Sequence, residues 1–400
     1  MLNVVSSEKA REIITDNFSS FTADSELVDL CSCLGRVTAC DITAEENIPC
    51  FNRSTVDGYA VVCRDTFGSG ESMPAILTVK GEIFMGEKAE TCITDGECIR
   101  VSTGGMLPEG ADAVVMVENT QQLDDETCLI FKAVSPFENV TRLGDDVSAG
   151  HTVIKKGTRL TSRHVGILAA LGKTQILCVK KLRVAIVSTG DEVVPIESNA
   201  QIGQVRDINS HILSALMEEK GCIVERFGIV KDDFDSIYNC CKTAAESCDV
   251  ILISGGSSAG ARDMTVKVIS SLGEVFLHGI AMKPGKPTII GRIGKKAVFG
   301  LPGHPTAAYF VAMLFVGHLI NTVCGITDTS VKVKARLSTS ISSNHGREEI
   351  VPVMLCDGVA VPIFRKSGVV SLLSSAHGFV VVDRNKEGLK ENEEVDVCLF

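Results

Sequence analysis

Two lysines stand three residues apart in residues 282–287 (MKPGKP), a segment that two prolines make stiff. Two fixed ammonium groups suit a compact oxyanion, because charge-assisted hydrogen bonds to such a ligand are strong. An isolated K-x-x-K pattern is more often a solvated loop. Here the segment lies between two polar turns that follow predicted strands, which favours an anion site at Lys283 and Lys286.

The first of these turns lies in residues 249–263 (DVILISGGSSAGARD). Its apolar run predicts a buried parallel strand, and the glycines after it allow backbone amides to approach an anion closely. Asp263 is expected just beyond the turn, ahead of a helix over residues 264–272 whose N-terminus would face the ligand. Alone, such a turn is more often a plain connection between a strand and a helix.

Two further apolar runs end in similar turns. Residues 181–189 lead into STGDE, and residues 297–305 (AVFGLPGHP) lead into a long apolar helix over residues 306–323, with Pro305 as its first residue. In an open α/β sheet, ligands bind outside the carboxyl ends of the strands. The three strand ends are therefore expected to converge on one crevice.

Composition limits the class of protein. The chain has 400 residues, a net charge of −11 and 45% hydrophobic residues. This length predicts several domains, and the negative charge argues against general binding of nucleic acid or anionic membranes. The 16 cysteines are scattered without a CxxC pair, which predicts reduced thiols rather than a disulfide framework or a thiolate metal site. The longest apolar stretch, residues 307–320, is judged too short to span a membrane, so a cytoplasmic protein is expected.

The order of strand and helix patterns predicts a multi-domain α/β plus β protein. Its centre is a doubly wound α/β domain at residues 179–325. The remaining predicted domains are an extended discontinuous domain at residues 1–51 and 139–178, an inserted β domain at residues 52–138, and a C-terminal β domain at residues 326–400.

Nine ordered motifs make the chain resemble the molybdopterin molybdenumtransferases, the molybdenum insertases that include the catalytic domain of gephyrin. They are NRSTVDGYAV (52–61), RVSTGGMLPEGADAVVMVE (100–118), RLGDDVSAG (142–150), VSTGDEV (187–193), KDD (231–233), SGGSSAGARD (254–263), KPGKP (283–287), GLPGHP (300–305) and SLLSSAHG (371–378). The resemblance implies that the α/β domain binds the pterin, that the C-terminal domain is β-barrel-like, and that the chain forms an elongated homodimer.

The resemblance also implies the reaction: molybdate enters the dithiolene of adenylylated molybdopterin, and AMP is released with help from Mg²⁺ or another divalent cation. A molybdopterin adenylyltransferase would hand over the substrate. The catalytic residues implied are Asp57, Asp145, Glu192, Asp233, Asp263, Lys283 and Lys286, with Asp263 and Glu192 as metal ligands. Substrate-binding residues are Thr103, Ser188, Thr189, Gly190, Gly255, Gly256, Ser257, Gly303 and His304, and Arg347 and Ser371 contact molybdate.

Three positions differ from many family members, namely Val56, Ser258 and His304, and the last leaves open whether molybdate or tungstate is preferred. A molybdopterin adenylyltransferase shares the same α/β core but is usually one short domain. A non-catalytic scaffold is the alternative from another class, and the retained acidic positions argue against it. No P-loop or GxGxxG motif occurs, so kinase and dehydrogenase functions are not favoured.

Overall fold

The computed structural model describes residues 4–21, 23–255, 259–327, 331–364 and 368–400, with the backbone alone at residues 259–262. Gly256 and Ser257, predicted to bind substrate, lie outside the described residues, as does Ser258. In the described part the helices are α1 Ser7–Phe18, α2 Ser162–Ala170, α3 Ile208–Glu219, α4 Phe234–Ser247, α5 Ala259–Leu272, α6 Pro305–Val311, α7 Gly317–Cys324 and α8 Ser371–Ser375.

The strands up to residue 179 form a six-stranded sheet and several short pairs. They are β1 Ser25–Asp29, β2 Ile42–Thr43, β3 Arg53–Ser54, β4 Gly58–Val61, β5 Ala75–Ile83, β6 Glu97–Val101, β7 Ala113–Met116, β8 Thr120–Gln122, β9 Thr127–Ile130, β10 Val140–Thr141, β11 Thr152–Ile154 and β12 Gln175–Val179. The six-stranded sheet has the order β7-β4-β6-β5-β9-β8. Antiparallel pairs join β1 to β12, β2 to β11 and β3 to β10.

The central strands form a second six-stranded sheet with the order β16-β13-β17-β21-β20-β18. The strands of this region are β13 Arg183–Thr189, β14 Val193–Val194, β15 Val205–Arg206, β16 Ile223–Val230, β17 Val250–Ser254, β18 Glu274–His278, β19 Met282–Lys283, β20 Ile289–Ile293 and β21 Lys296–Leu301. The four strands from β16 to β21 in this order run parallel, whereas β20 and β18 are antiparallel additions. The carboxyl ends of β13, β17 and β21 therefore lie side by side.

Both faces of the central sheet are covered, as a doubly wound fold requires. One face packs against α3, α6 and α7, with Leu213, Phe299 and Phe310 in a single core. The other packs against α4 and α5, with Ile237 and Val268 in a separate core. The fold class predicted from the sequence is confirmed.

Helix α1 also packs in the central core, through Ala10, Ile14 and Phe18. Ser6 caps it by accepting a hydrogen bond from the Lys9 amide. The sequence had assigned these residues to the extended domain, and the domain boundaries stay a prediction. The apolar face of α1, with its i, i+4, i+8 spacing, explains why it lies on the sheet.

The long apolar helix runs from Pro305 to Cys324 and contains a π-helical segment, Ala312–Val316. Its 20 residues have a mean hydropathy of 1.7, long and apolar enough to cross a membrane by length and composition alone. The predicted apolar stretch was shorter. Phe310, Phe315 and Leu319 are buried in the core beside the sheet, so this helix serves as a core helix of the α/β domain.

The C-terminal strands form a third six-stranded sheet together with β19, in the order β19-β24-β25-β22-β28-β26 and with a further pairing of β24 with β26. The strands of this region are β22 Lys332–Leu337, β23 Ile341–Ser342, β24 Glu348–Cys356, β25 Val359–Pro362, β26 Gly378–Val382, β27 Gly388–Leu389 and β28 Glu394–Leu399. Strands β23 and β27 lie outside this sheet and pair with each other. Because β19 pairs with β24, the lysine segment joins the central domain to this sheet.

Candidate functional site

The ends of β13 and β17 are in close contact. A Cβ atom added to Gly255 would lie 2.1 Å from the backbone oxygen of Thr189 and 2.2 Å from its hydroxyl oxygen, so no larger residue fits there. Ser188 and Thr189 are both only 2% exposed. Because Gly255 has no side chain, the ends of β13 and β17 can approach closely, as predicted from the glycine-rich turn.

The Ser188 hydroxyl has a positioning role. It donates to Asp207 Oδ1 at 2.9 Å, and the Ser210 amide donates to the same oxygen at 3.0 Å. Asp207 is the N-cap of α3 and is itself buried. Substrate binding by Ser188 stays a prediction, and the Ser188 hydroxyl is engaged in this buried cap.

The side chain of Asn209 connects two of the strand ends. Its Nδ2 atom donates to Ser254 Oγ and to the Gly303 backbone oxygen, both at 2.8 Å. Its Oδ1 atom is buried and has no hydrogen-bond partner among the described residues. Asn209 is not among the site residues predicted from the sequence. The only sequence signal for Asn209 is its position two residues after Asp207, the cap of a helix that follows a strand-end turn.

The acidic residue at the end of β16 is Asp232. Burial raises the pKa of its carboxyl, the charges of Asp191 and Glu192 raise it further, and a hydrogen bond with the Thr189 side chain lowers it. Its Oδ1 atom is buried without a partner among the described residues. These neighbours place Asp232 beside the carboxyl end of β13, in the crevice that the three turns predicted.

Asp233, which we predicted as catalytic, is the N-cap of α4. It accepts hydrogen bonds from the Ser236 amide at 2.9 Å and from the Ser236 hydroxyl at 2.8 Å. These two bonds hold the pKa of the Asp233 carboxyl below its usual value. The catalytic role of Asp233 stays a prediction, and in the structure its carboxylate caps α4. The signal was present, since Asp followed three residues later by Ser is the spacing of a helix cap.

Asp263 lies inside α5, which begins at Ala259, and not in front of the helix as we predicted. Its side chain is exposed. The two alanines of the segment 259–262 favour helix strongly, which explains the earlier start. Glu192 is also exposed, and its backbone oxygen accepts from the Val205 amide at 2.9 Å. A Cβ atom on Gly190 would meet the Glu192 carboxylate at 3.0 Å, so the glycine leaves room for that side chain.

The predicted oxyanion group lies where β19 meets β24. Lys283 Nζ is 2.7 Å from Glu349 Oε1, and Glu349 Oε2 accepts from the Ser343 hydroxyl at 2.7 Å. Lys286 is half-buried, and no ion pair of its ammonium is found among the described residues. Lys283 is thus already partly neutralised by a carboxylate that the sequence analysis did not consider.

Arg347 precedes this carboxylate by two residues and is exposed. The Glu348 amide donates to the Ala281 backbone oxygen at 2.9 Å, and this bond places Arg347 beside the lysine segment. The two predicted cationic motifs are therefore neighbours. Their proximity follows from strand pairing that neither motif alone reveals.

The start of α6 contacts the C-terminal region. His304 is its N-cap residue, and the Thr306 hydroxyl donates to the Val369 backbone oxygen at 3.4 Å. Ser371 begins α8, and its backbone oxygen accepts from the hydroxyls of Ser374 and Ser375. These contacts place the segment that precedes Ser371 beside the strand-end crevice.

A second acidic group lies on the N-terminal sheet. Asp57 Oδ1 accepts from the Thr103 amide at 2.7 Å and from the Thr103 hydroxyl at 3.0 Å. These bonds hold the pKa of the Asp57 carboxyl below its usual value. Thr103 therefore keeps the exposed Asp57 side chain ionised and oriented, which a reactive or cation-binding carboxylate requires.

Asp145 lies on the loop next to this group. Its carboxylate accepts from the Arg142 amide at 2.7 Å and from Arg142 Nε at 3.2 Å. The pairing of β3 with β10 and a hydrogen bond from the Leu143 amide to Asn52 Oδ1 tie the two loops together. The segment that carries Asp145 is therefore joined to the segment that precedes Asp57, outside the sheet that forms the strand-end crevice.

An open α/β sheet with glycine-rich turns at its strand ends is an architecture that many nucleotide- and phosphate-binding proteins share. Comparison with known proteins gives the family. Residues 5–172 match the model of the MoeA N-terminal region (domain I and II), residues 185–321 a probable molybdopterin binding domain, and residues 334–400 the MoeA C-terminal region (domain IV).

Relatives match over nearly the whole chain. A putative molybdopterin biosynthesis protein of Methanocaldococcus jannaschii is 35% identical, with 100% of this chain and 98% of the relative covered. A molybdopterin molybdenumtransferase of Staphylococcus aureus is 30% identical, with 99% and 96% covered. The crystal structure of a molybdopterin biosynthesis MoeA protein from Pyrococcus horikoshii OT3 superposes with a TM-score of 0.88 at 32% identity, covering 100% of both chains.

The chain belongs to the molybdopterin molybdenumtransferase (MoeA) family, and the family and enzyme class predicted from the sequence are confirmed.

Proposed function

We propose that this chain inserts molybdate into adenylylated molybdopterin and releases AMP, as a step of molybdenum cofactor assembly in the cytoplasm. The observation that carries this proposal is the convergence of three strand ends on one crevice, with Asp232 half-buried beside Thr189 and close to Asp191 and Glu192. Glycine-rich strand ends suit the phosphates, and the neighbouring carboxylates suit a cation that bridges to them.

A divalent cation such as Mg²⁺ fits this donor set. The buried Asp232 Oδ1 atom has no partner among the described residues, and the like charges around it raise its pKa. A cation would satisfy the oxygen and reduce the repulsion. Among the described residues no three His, Cys, Asp or Glu side chains form a ready metal cage. This agrees with Mg²⁺, which usually takes one or two carboxylates, substrate phosphate oxygens and water.

The roles of the chain's own residues follow from this arrangement. Asp232, Glu192 and Asp263 are proposed to hold the cation, which when bound would neutralise charge that develops on the phosphoanhydride. The Gly255 amide and the start of α6 would orient the phosphates. Asn209 is proposed to hold the ends of β17 and β21 in position through its bonds to Ser254 and Gly303.

The oxyanion is proposed to bind between β19 and β24. Lys286 and Arg347 supply positive charge there. Lys283 contributes as well when its ion pair with Glu349 breaks, or when its ammonium contacts Glu349 and the oxyanion together. A compact dianion loses hydration when it enters a site, so fixed cations are needed to offset that loss. Molybdate is the proposed oxyanion, and tungstate remains its competitor.

The proposal includes a homodimer and a handover of substrate from a molybdopterin adenylyltransferase. A chain with several sheets exposes broad faces, which an isologous pair can bury. The handover follows from the chemistry, because the adenylylated pterin is a reactive intermediate that a preceding adenylyl transfer must supply.

The direct test is to incubate the purified chain with adenylylated molybdopterin, Mg²⁺ and molybdate, while AMP and active cofactor are measured. We expect both products to form together and to depend on molybdate. A parallel incubation with ATP and unmodified molybdopterin should give no adenylylated product. Adenylylation there, without molybdate-dependent AMP release, would identify an adenylyltransferase and reject the proposal. Tungstate in place of molybdate measures the oxyanion preference.

A further inference from the structure

A cavity of about 540 Å³ lies at the edge of the central sheet where the strands begin. Leu182, Val250 and Ala297, at or next to the first residues of β13, β17 and β21, line its wall. The crevice described above lies at the opposite edge. Because β13 has seven residues, the two edges are about 20 Å apart. The cavity is therefore separate from the proposed reaction site.

One part of the cavity wall is apolar. Phe18 and Phe21 contribute from the end of α1, and Leu319 and Val323 contribute from α7. Phe18 and Leu319 are each 1% exposed and belong to the central core, whereas Phe21 is half-buried at the cavity. The cavity volume falls within the range of about 300–1,000 Å³ that is typical of small-molecule sites. An aromatic or aliphatic group would gain apolar contact here.

The rim of the cavity is basic. Five basic side chains and two acidic ones line it: Lys180, Lys181, Arg183, Lys295 and Lys296, with Asp24 and Asp249. This excess of positive charge stands out in a chain whose net charge is −11. An excess of one sign around a concave surface raises the local concentration of the opposite ion.

Five of these seven charged side chains form ion pairs. Lys180 Nζ lies 3.3 Å from Asp24, and Lys296 Nζ lies 3.0 Å from Asp249. Arg183 contacts Glu225 at 3.1 Å.

Lys181 and Lys295 differ from the other rim cations. Within the ranges that the structure describes, neither of their ammonium groups has an ion-pair or hydrogen-bond partner. These two lysines are therefore available to a ligand.

The cavity also lies between the two connections that join the β1–β12 pair to the central sheet. Phe21, Ala23 and Asp24 lie on one connection, and Lys180 to Leu182 form the other. The Lys180 amide donates to the Asp24 backbone oxygen at 2.7 Å. A bound molecule would contact both connections at once.

We propose that this cavity binds a small organic anion, with an aromatic or aliphatic body on the apolar wall and a carboxylate or phosphate at Lys181 and Lys295. The apolar wall favours an apolar body, and the two ammonium groups favour a negative charge. Neither feature alone selects this ligand class. The site is independent of the insertion reaction, because it lies at the other edge of the sheet.

The test is isothermal titration of the full chain with 4-phenylbutyrate and with its neutral isostere 4-phenylbutanamide. We expect one molecule of the carboxylate to bind per chain, and the amide to bind at least about tenfold more weakly, since a charge-assisted contact is lost. Phenyl phosphate in a third titration separates preference for phosphate from preference for carboxylate. Equal affinity for acid and amide, or no binding of any of the three probes, would overturn the proposal.

Variants locate the bound anion. Lys181→Ala combined with Lys295→Ala should weaken 4-phenylbutyrate binding tenfold or more, and Val323→Phe should weaken it by filling the cavity. The matched control is Lys242→Ala, because Lys242 is an exposed lysine on α4 outside the cavity lining. Unchanged affinity in the double variant would overturn the proposal. If a variant fails to fold by circular dichroism, the comparison of acid with amide on the unmodified chain still decides.

Discussion

The Lys283 ammonium lies 2.7 Å from a carboxylate oxygen of Glu349, whose other oxygen accepts from the Ser343 hydroxyl. Lys283 and Lys286, which look equivalent in KPGKP, are therefore different in the folded chain. One is paired with a mostly buried carboxylate, and the other is half-buried without an ion pair among the described residues. An incoming oxyanion would compete with Glu349 for Lys283 and meet no such competitor at Lys286.

The first prediction concerns this pair. Lys286→Ala should raise the molybdate concentration for half-maximal insertion by roughly tenfold to a hundredfold, the equivalent of about 1.5–3 kcal/mol for one charge-assisted contact. Lys283→Ala should raise it less, because Glu349 already offsets that charge. Cofactor formation measured against molybdate concentration checks both. Affinity for adenylylated molybdopterin should stay near that of the unmodified chain.

Glu349→Gln is the control for this argument. It frees Lys283 and should lower the half-maximal molybdate concentration. The proposed competition between Glu349 and molybdate for Lys283 is wrong if Lys283→Ala raises the half-maximal molybdate concentration more than Lys286→Ala does, or if Glu349→Gln weakens molybdate binding. If neither lysine variant changes the molybdate dependence but both slow AMP release, the lysines act on the phosphate instead.

The second prediction concerns stability and pH. Burial, with the charges of Asp191 and Glu192, raises the pKa of Asp232 above its ordinary value of 3.8, so the native state binds this proton more tightly than the unfolded chain does. Stability therefore falls as pH rises from about that value through the raised pKa. Asp232→Asn removes the penalty. Its free energy of unfolding should exceed that of the unmodified chain at pH 7, with the difference shrinking below pH 4.

Urea denaturation at several pH values measures this difference. Asp233→Ala gives the contrast, because the pKa of Asp233 is lowered by its bonds to Ser236 and its carboxylate stabilises α4. That variant should lose stability at neutral pH, and the loss should diminish as acid protonates the carboxyl. If Asp232→Asn is less stable than the unmodified chain at pH 7, the ionised Asp232 carboxylate does not destabilise the fold, and the prediction is wrong.

The third prediction concerns the cation. Treatment with a chelator should stop AMP release, and added Mg²⁺ should restore it. Because the described carboxylates form no complete cage, we expect Mg²⁺ to bind the free chain weakly and to bind more tightly when adenylylated molybdopterin is present. Titration calorimetry with and without the pterin measures this coupling. Full activity after chelation would reject the cation.

The fourth prediction is the oligomeric state. Light scattering at micromolar concentration should give about twice the chain mass of 42.6 kDa. A mass equal to that of one chain under these conditions would contradict the predicted homodimer.

The sequence predicted the central sheet well because its signals are local. Apolar runs followed by glycine turns identified β13, β17 and β21, and Pro305 marked the start of α6. The adjacent acids Asp232 and Asp233 look alike in sequence, although only Asp233 has its carboxylate engaged by Ser236, three residues later. Asp263 was placed before its helix because the glycines of the turn concealed that α5 begins at Ala259.

The remaining features depend on contacts between distant segments. The pairing of β19 with β24, which gives Lys283 its partner Glu349, follows from the packing of two sheets and has no local pattern. Likewise Asn209 gains its role only because α3 starts where β17 and β21 end. The cavity at the opposite edge is formed by α1, α7 and two connecting segments, and sequence periodicity does not reveal concave surfaces.

The most direct test of the strand-end site is single-turnover AMP release by two neighbouring variants, Asp232→Asn and Asp233→Asn, with adenylylated molybdopterin, Mg²⁺ and molybdate. Loss of an acid that holds the cation should slow AMP release about a hundredfold or more in Asp232→Asn. In Asp233→Asn the rate should stay within a few-fold of the unmodified chain, since asparagine also caps helices. The reverse order of effects, or equal rates in both variants, would contradict the account.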